Sequence, residues 1–358
     1  MKKLNVAIIG QGRSGRDIHG AFFRSEANEK YNVVAVVDEL EHRRIRAKEE
    51  YGCDVYADYR ELFNRTDIDL VVNSTYSYLH APVTIDLLNH GFNVVCEKPF
   101  AKTYEDGVRV IRAAKKNGKM VNCFQQSRFA PYYKEIKKIL ASGVLGDLFQ
   151  ISISFSGFAR RWDWQVNKAM MGGGVRNTGP HPLDQAMDLL GFPETTTGFS
   201  KLGRANVFGD AEDYAKILIS VPDKPLVDVE ISSCNAYSPY TYVISARNGS
   251  LRATQQKIEY KYFDPATAPA HQPTLTPIEN DQGLPAYCSE KLDWIEKTVE
   301  IEGSAFNSAV LDYYNMIYDY LVEGKPMPIV PEQVLTQLKV IDQIHAQNPL
   351  SISEDGRE

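Results

Sequence analysis

Basic residues are in short supply. Forty Lys and Arg stand against 46 Asp and Glu, leaving a formal net charge of −6. A nucleic-acid surface needs a basic stripe to neutralise phosphates, so this balance argues against a nucleic-acid partner. Long apolar runs are missing as well: nothing approaches the roughly 18 consecutive apolar residues of a membrane helix. Lys2-Lys3 precede an apolar run that stops at Gly10, too short for a secretory signal, so no membrane partner is expected. The five cysteines, Cys53, Cys96, Cys123, Cys234 and Cys288, are scattered, and no C-x-x-C occurs. That pattern indicates neither a metal site nor a redox pair, and reduced thiols fit a cytoplasmic protein. Internal repeats and low-complexity tracts are also lacking.

What is present is an ordinary globular composition, 43% hydrophobic over 358 residues, long enough for two domains with their own cores. Short β-branched runs at 4–9, 33–37, 70–72, 93–96 and 120–124 alternate with helical patterns at 15–27, 41–51, 78–90 and 103–117. Near-continuous apolar strands separated by helices imply a doubly wound parallel sheet covered on both faces. Such a sheet binds ligands at the carboxyl ends of its strands. From about 148 the pattern changes. Phe149, Ile151, Ile153 and Phe155 alternate with Gln150, Ser152, Ser154 and Ser156, as in an antiparallel strand with one wet face. Strand-like runs follow at 196–203, 213–221, 226–233, 240–246, 250–254 and 257–263, with Asn248-Gly249 as a hairpin signal. Proline-rich 264–287 reads as a long irregular excursion. Two helices close the chain: 307–323, with Asn307-Ser308 as a capping signal, and 332–346 after Pro331. The expected fold class is α/β: a Rossmann domain over 1–124, then an α+β domain with an open, mostly antiparallel sheet over 125–358. The last helix is expected to pack near the junction.

Gly10-x-Gly12-x-x-Gly15 follows the first strand and opens a helix, and Asp38 ends the next strand. In that context the glycines suit a dinucleotide pyrophosphate, with the backbone of Gly12, Arg13 and Ser14 meeting it at the positive end of the helix. The Asp38 carboxylate suits the ribose hydroxyls of NAD and would repel a 2′-phosphate. Arg43 and Arg44 leave NADP open. Glu97-Lys98-Pro99 follows the fifth strand, which aims Lys98 at the crevice; Pro99 allows a cis peptide bond. Further on, Asn177-Thr178-Gly179-Pro180-His181-Pro182-Leu183-Asp184 opens a helix. With Pro182 in its first turn, His181 falls at the N-cap and Asp184 in the first turn. Arg160-Arg161-Trp162-Asp163-Trp164 offers aromatic faces beside charged groups, the chemistry of a sugar site.

The order and spacing of these motifs resemble the glucose–fructose oxidoreductase / inositol dehydrogenase family (Gfo/Idh/MocA). The resemblance implies an NAD-dependent oxidoreductase acting on CH–OH groups, assembled as a homo-oligomer through the open sheet face. It implies that Lys98 meets the substrate hydroxyl and the nicotinamide ribose, and that Glu97 helps hold the cofactor. It places Ser74, Thr75 and Tyr76 under the cofactor with His80 close by, and makes His181 the acceptor of the hydroxyl proton. Arg128-Phe129-x-Pro131 also matches and marks the crossing between domains. Asn177 departs from the pattern, because inositol-dehydrogenase-like members carry aspartate four residues before the histidine. An amide cannot stabilise an imidazolium, so His181 is expected to titrate near ~6.5. Arg161, Trp162, Asn177 and Asp184 are the expected substrate contacts. The resemblance extends to a bacterial subgroup acting on sugars and glycosides, whose expected reaction is oxidation of a ring hydroxyl, most simply C3 to a 3-keto sugar. An inositol or polyol dehydrogenase, an NAD-retaining glycosidase or lyase, and a non-catalytic NAD sensor remain alternatives.

Overall fold

A computed structural model describes residues 2–237, 240–302 and 305–350. The tail of the expected second region, 351–358, lies outside them. The first sheet has the order β3-β2-β1-β4-β5-β6, built from β1 (Leu4–Ile9), β2 (Tyr31–Val37), β3 (Asp54–Tyr56), β4 (Leu70–Asn73), β5 (Val94–Cys96) and β6 (Val121–Cys123). All its ladders are parallel. The edge strand β3 was not expected; Asp54-Val55-Tyr56, one side chain exposed and two half-buried, carries no apolar run. The expected helix 15–27 is cut down to a wide π turn, Gly15–His19, followed by α1 (Gly20–Arg24). Then come α2 (Glu41–Tyr51), α3 (His80–Asn89) and α4 (Tyr104–Asn117). Helix α4 shows why its sequence stops and starts where it does. The Thr103 side chain accepts from the Asp106 N–H at its start, and Gly118 closes it at φ 62°.

Inside the β3 edge the strands of this sheet are largely buried on both faces, which explains their unbroken apolar runs. One face packs on α3 and α4 through Val83, Leu87, Leu88, Val110 and Ile111. The other is covered by Phe22 and Phe23 of α1 and by a helix from the far end of the chain, α8 (Ala305–Glu323), through Tyr313, Tyr314 and Ile317. Each such side chain taken fully from water contributes roughly 1.5–3 kcal/mol. Asn307 and Ser308 lie inside the first turn of α8 rather than at its cap, because the helix begins at Ala305.

The second sheet has the order β14-β13-β12-β11-β7-β10-β9-β8. Its strands are β7 (Leu148–Ser156), β8 (Thr197–Gly203), β9 (Tyr214–Ser220), β10 (Leu226–Ser232), β11 (Tyr242–Ala246), β12 (Gly249–Ala253), β13 (Lys257–Tyr262) and β14 (Ile295–Glu300). Only the β7–β10 ladder is parallel. One face packs on α5 (Pro131–Ala141) and, beyond a short α6 (Gly174–Asn177), on α7 (Pro180–Leu190), burying Ile151, Ile153, Ile217, Val229 and Ile244. Phe149, expected on that apolar face, is 58% exposed near the start of β7, where the Arg247 guanidinium lies over its ring. Asn248-Gly249 does mark the β11–β12 hairpin. The glycine is required by crowding: a Cβ there would stand 2.1 Å from the Lys261 carbonyl oxygen on β13. Beyond the irregular stretch, β14 emerges as an edge strand paired with β13. Helix α9 (Gln333–Gln347) serves both cores, with Val334 and Leu338 in the first and Val340, Ile341 and Ile344 in the second. Among the described residues no helix is long and apolar enough to cross a membrane.

Candidate functional site

The carboxyl ends of β1, β2, β4 and β5 meet in one crevice, and the glycine turn forms its floor. Gly10 adopts φ 92°, and a Cβ there would lie 2.5 Å from the Ser74 carbonyl oxygen. A Cβ on Gly15 would run into the Gly10 carbonyl. Gly12 is different, for its Cβ would meet nothing within 4 Å. Two glycines therefore allow the turn to fold on itself, and the third leaves its outer surface bare. That is the profile of a cradle for a pyrophosphate at a helix start, so these residues fit a dinucleotide. Arg13 is exposed and Ser14 half-buried at the same turn. Asp38 is buried beside it, its Oδ2 accepting the Gln11 N–H at 2.7 Å and its Oδ1 the Leu40 N–H at 2.9 Å. The carboxylate thus also braces the turn. Arg43 comes within 3.4 Å of Asp38, while Arg44 donates to the carbonyls of Asp38 and Glu39.

The β4 loop lies against that turn. Ser74 Oγ donates to the Ile9 carbonyl at 2.7 Å, and Thr75 Oγ1 to Asn73 Oδ1 at 2.8 Å. Tyr76 meets Trp164 edge to face with ring centroids 5.2 Å apart, a contact that bridges the crevice. His80 is buried at the first position of α3. Its Nδ1 is 2.7 Å from the Pro99 carbonyl oxygen and its Nε2 3.1 Å from that of Thr75, so both ring nitrogens are committed within the protein. Burial pushes the ring below its ordinary pKa, against the pull of those two carbonyls. A neutral ring donates to only one of them, and the shorter contact favours Nδ1–H to Pro99.

The Lys98–Pro99 peptide bond is cis. Lys98 Nζ donates to the Asn177 backbone carbonyl at 3.0 Å, which ties the β5 loop to the motif ahead of α7. That helix begins at Pro180 with Gly179 as its cap, so His181 sits inside the first turn rather than at the N-cap. Pro180, and not Pro182, takes the N1 place. His181 is half-buried as a residue, and its Nδ1 is buried without a hydrogen-bond partner among the described residues. Burial, reinforced by the nearby Lys98 charge, lowers its pKa to about 3. The expected titration near ~6.5 is therefore corrected: the missing anionic partner is a smaller matter than the missing water.

Asn177 does not face His181. Its side-chain amide pairs with that of Gln165, Nε2 to Oδ1 at 2.9 Å and Nδ2 to Oε1 at 3.3 Å. Gln165 also accepts from Arg161, which is paired with Asp163 at 2.6 Å. Arg161, Gln165 and Asn177 line a cavity of about 210 Å3 together with Thr178, Phe158 and the buried carboxyl of Glu212. Trp162 stands outside it, 78% exposed and edge-on to Phe208. Asp184 is fully buried and held by Arg128 through two contacts, Nη2 to Oδ1 at 2.7 Å and Nε to Oδ2. It lies in the second turn of α7, so the expected first-turn placement beside the helix dipole is corrected as well.

Several residues at the site went unnoticed in the sequence. Gln337 of α9 accepts from Gln125 at 3.0 Å and donates to the Pro180 carbonyl, pinning the start of α7. His19 and Tyr314 close on Glu97 from below. Gln165 comes from the single 3-10 turn Trp164–Val166 and Glu212 from a loop, and neither was part of a motif. His19 alone left a trace, four residues after Gly15 on the same helical turn.

Comparison with known proteins agrees with this architecture. Residues 4–124 match the family model described as "Oxidoreductase family, NAD-binding Rossmann fold", and residues 133–252 match "GFO/IDH/MocA C-terminal domain". The chain belongs to the GFO/IDH/MocA oxidoreductase family and carries its NAD-binding Rossmann fold. Its relatives include 2,7-anhydro-N-acetylneuraminate hydratase of Mediterraneibacter gnavus, 28% identical over 70% of this chain and 67% of that protein. Another is scyllo-inositol 2-dehydrogenase (NADP(+)) IolW of Bacillus subtilis, 24% identical over 95% of this chain and 92% of that one. A third is D-glucoside 3-dehydrogenase of Escherichia coli K12, 29% identical over 63% and 66%. The fold matches the solved structure of the oxidoreductase yvaA from Bacillus subtilis with a TM-score of 0.79 at 20% identity, over 97% of this chain and 96% of that one.

Proposed function

We propose that this protein oxidises a ring hydroxyl of a sugar or glycoside, most simply at C3, with NAD as the hydride acceptor. The observation that carries the reading is Lys98 tied to the Asn177 carbonyl, close enough for its charge to act on His181, with Asn177 itself lining a cavity of about 210 Å3 shared with Arg161, Gln165, Thr178 and Glu212. Charged and amide groups around a small volume, with Phe158 at one side, suit a polyhydroxylated ring rather than an apolar substrate. The D-glucoside 3-dehydrogenase relative supports the ring position. Gly10, Gly12, Arg13, Ser14, Gly15 and Asp38 hold the dinucleotide, with Ser74, Thr75 and Tyr76 along its path.

Bound NAD supplies an electrophilic ring that accepts hydride; the remaining work falls to side chains. Lys98 uses one ammonium proton on the Asn177 carbonyl and offers the others to the reacting oxygen, stabilising the negative charge that grows there. His181 is kept as neutral imidazole, the form able to accept the hydroxyl proton. The O–H proton passes to His181 as C=O forms; the hydride leaving the carbon is what NAD, held by the glycine turn and Asp38, would take up. Asn177 and Arg161 orient the ring through the Gln165 amide. Glu97 and His80 hold the lysine loop.

A second reading, transient oxidation at C3 with elimination or hydration and retained cofactor, is favoured by the 2,7-anhydro-N-acetylneuraminate hydratase relative. The test is a screen of hexoses, inositols and glycosides with NAD, followed at the NADH absorbance and by product mass. Net NADH with a product two mass units lighter supports the dehydrogenase. Aglycone release or hydration without net NADH supports the second reading. Lys98→Ala should abolish either, by about 10²–10⁴-fold, and near wild-type turnover in that variant overturns both.

A further inference from the structure

The geometry points to His19 as a positioning residue that sets the catalytic lysine through Glu97, with Tyr314 as its anchor. The inference rests on the role proposed for Lys98. His19 lies on the π turn after the glycine cradle, Glu97 at the end of β5 and Tyr314 on α8. All three are buried. His19 Nδ1 is 2.6 Å from the Tyr314 hydroxyl, and its Nε2 is 3.1 Å from Glu97 Oε1. The other oxygen of Glu97, Oε2, accepts the Lys98 backbone N–H at 2.9 Å. Both carboxylate oxygens are thus spent inside the protein, one on the histidine and one on the main chain of the lysine itself.

The chain of contacts has a consistent proton inventory. Tyr314 O–H donates to Nδ1, Nε2–H donates to Glu97, and Glu97 accepts twice as a carboxylate. Burial would raise the Glu97 carboxyl; the His19 hydrogen bond, with the Lys98 charge beside it, draws it down instead. Without His19 the carboxylate would lose its only side-chain partner among the described residues, and a buried anion so exposed must move, protonate or admit water. Each response shifts the Lys98 backbone that it grips. An error of about 1 Å in a reacting group costs on the order of 100-fold in rate. The placement also joins two parts of the site. The helix that opens under the pyrophosphate carries His19, so the cofactor cradle and the lysine loop are set against one another by a single ring.

A purely structural role makes the opposite ranking of variants. The His19 ring packs 4.3 Å from Phe124 and edge-on to Tyr314. If it only fills that space, His19→Leu should serve at least as well as His19→Gln. If it positions Glu97, glutamine, which can place an N–H near the old Nε2, should be the better replacement. Two measurements decide, with protein melting recorded for each variant. One is kcat and KM on the best glycoside from the screen above, with NADH affinity measured by fluorescence. The other is the rate at which trace acetic anhydride acetylates Lys98 in the protein without cofactor, read by peptide mass.

We expect His19→Leu to lower kcat about 10–100-fold with little change in KM or NADH affinity. Lys98 acetylation should rise about tenfold as its charged hydrogen bond to Asn177 loosens. His19→Gln should lie near wild type, and Tyr314→Phe between the two. Leucine matching or exceeding glutamine in both measurements overturns the inference. Should His19→Leu fail to fold, Tyr314→Phe decides alone: unchanged kcat and unchanged acetylation overturn it. An unaffected Lys98→Ala turnover would instead remove the proposed catalytic role of the lysine, while the acetylation rates still decide whether His19 sets its position.

Discussion

Acid should destabilise this protein through His181 in a way that can be isolated. In the folded chain burial, with Lys98 adding to it, lowers the pKa of that imidazole to about 3; in the unfolded chain it returns to ~6.5. The unfolded state therefore takes up the proton first. Stability from this residue is complete above pH ~6.5 and is lost as the pH falls from there toward 3. At pH 5 the unfolded histidine is already some 1.5 pH units into its protonated range, and the folded one is still neutral. At ~1.4 kcal/mol per unit this costs about 2 kcal/mol. The figure at pH 5 depends on the unfolded midpoint and hardly on how far below 4 the folded value lies.

Equilibrium urea unfolding at pH 7 and pH 5, for wild type and His181→Asn, gives the difference directly. His80 and His345, which burial also pushes down, contribute equally to both proteins and cancel. Wild type should lose about 2 kcal/mol more than the variant between the two pH values. Equal losses would show that the folded ring titrates freely, and that water reaches it. The neutral proton acceptor assigned to His181 would then have to be abandoned below pH ~6.5.

Three further outcomes follow from the same geometry. NADH should bind at least about tenfold tighter than NADPH, since a buried Asp38 carboxylate facing a 2′-phosphate costs more than ~1.4 kcal/mol; equal affinities by fluorescence titration would remove Asp38 from the ribose site. Arg128→Met should cost about 3–5 kcal/mol in denaturant unfolding by stranding the Asp184 charge, and adding Asp184→Leu should recover much of it; a double variant no better than the single would mean that the pair is not the source. Asn177→Asp should leave the pH profile of turnover where it was, because that side chain faces Gln165 and not His181; a displaced profile would reinstate a direct coupling of residue 177 to the histidine.

The parallel sheet was legible because its inner strands are buried on both faces, and burial writes itself as short unbroken apolar runs, the first ending at Gly10 and the second at Asp38. The glycine cradle was legible because two of its glycines answer to backbone crowding, which nothing but glycine relieves. Helix α8 was visible as a helix, but nothing local said that its tyrosines cover the first sheet some 300 residues upstream. The same blindness hid His19: its meaning depends on Glu97 and Tyr314, and no spacing within one segment encodes a three-segment contact. The 131–141 helix, β3 and β14 were missed for simpler reasons of length or of weak pattern.

Asn177 shows where reading by position breaks down. It stands four residues before the histidine, where the resemblance places a relay aspartate, so its side chain was expected beside His181. The backbone sends it elsewhere. Helix α6 ends at Asn177, Gly179 caps α7, and the turn between them sends the Asn177 side chain to Gln165 and its carbonyl to Lys98. The useful contribution of residue 177 to the lysine is therefore its backbone oxygen, which every amino acid supplies. An aspartate or an asparagine there changes the substrate cavity more than the proton path. On the proposed mechanism, the basicity of His181 is set chiefly by how dry the crevice is, and specificity by the Arg161–Gln165–Asn177 wall. These two properties should vary independently under mutation.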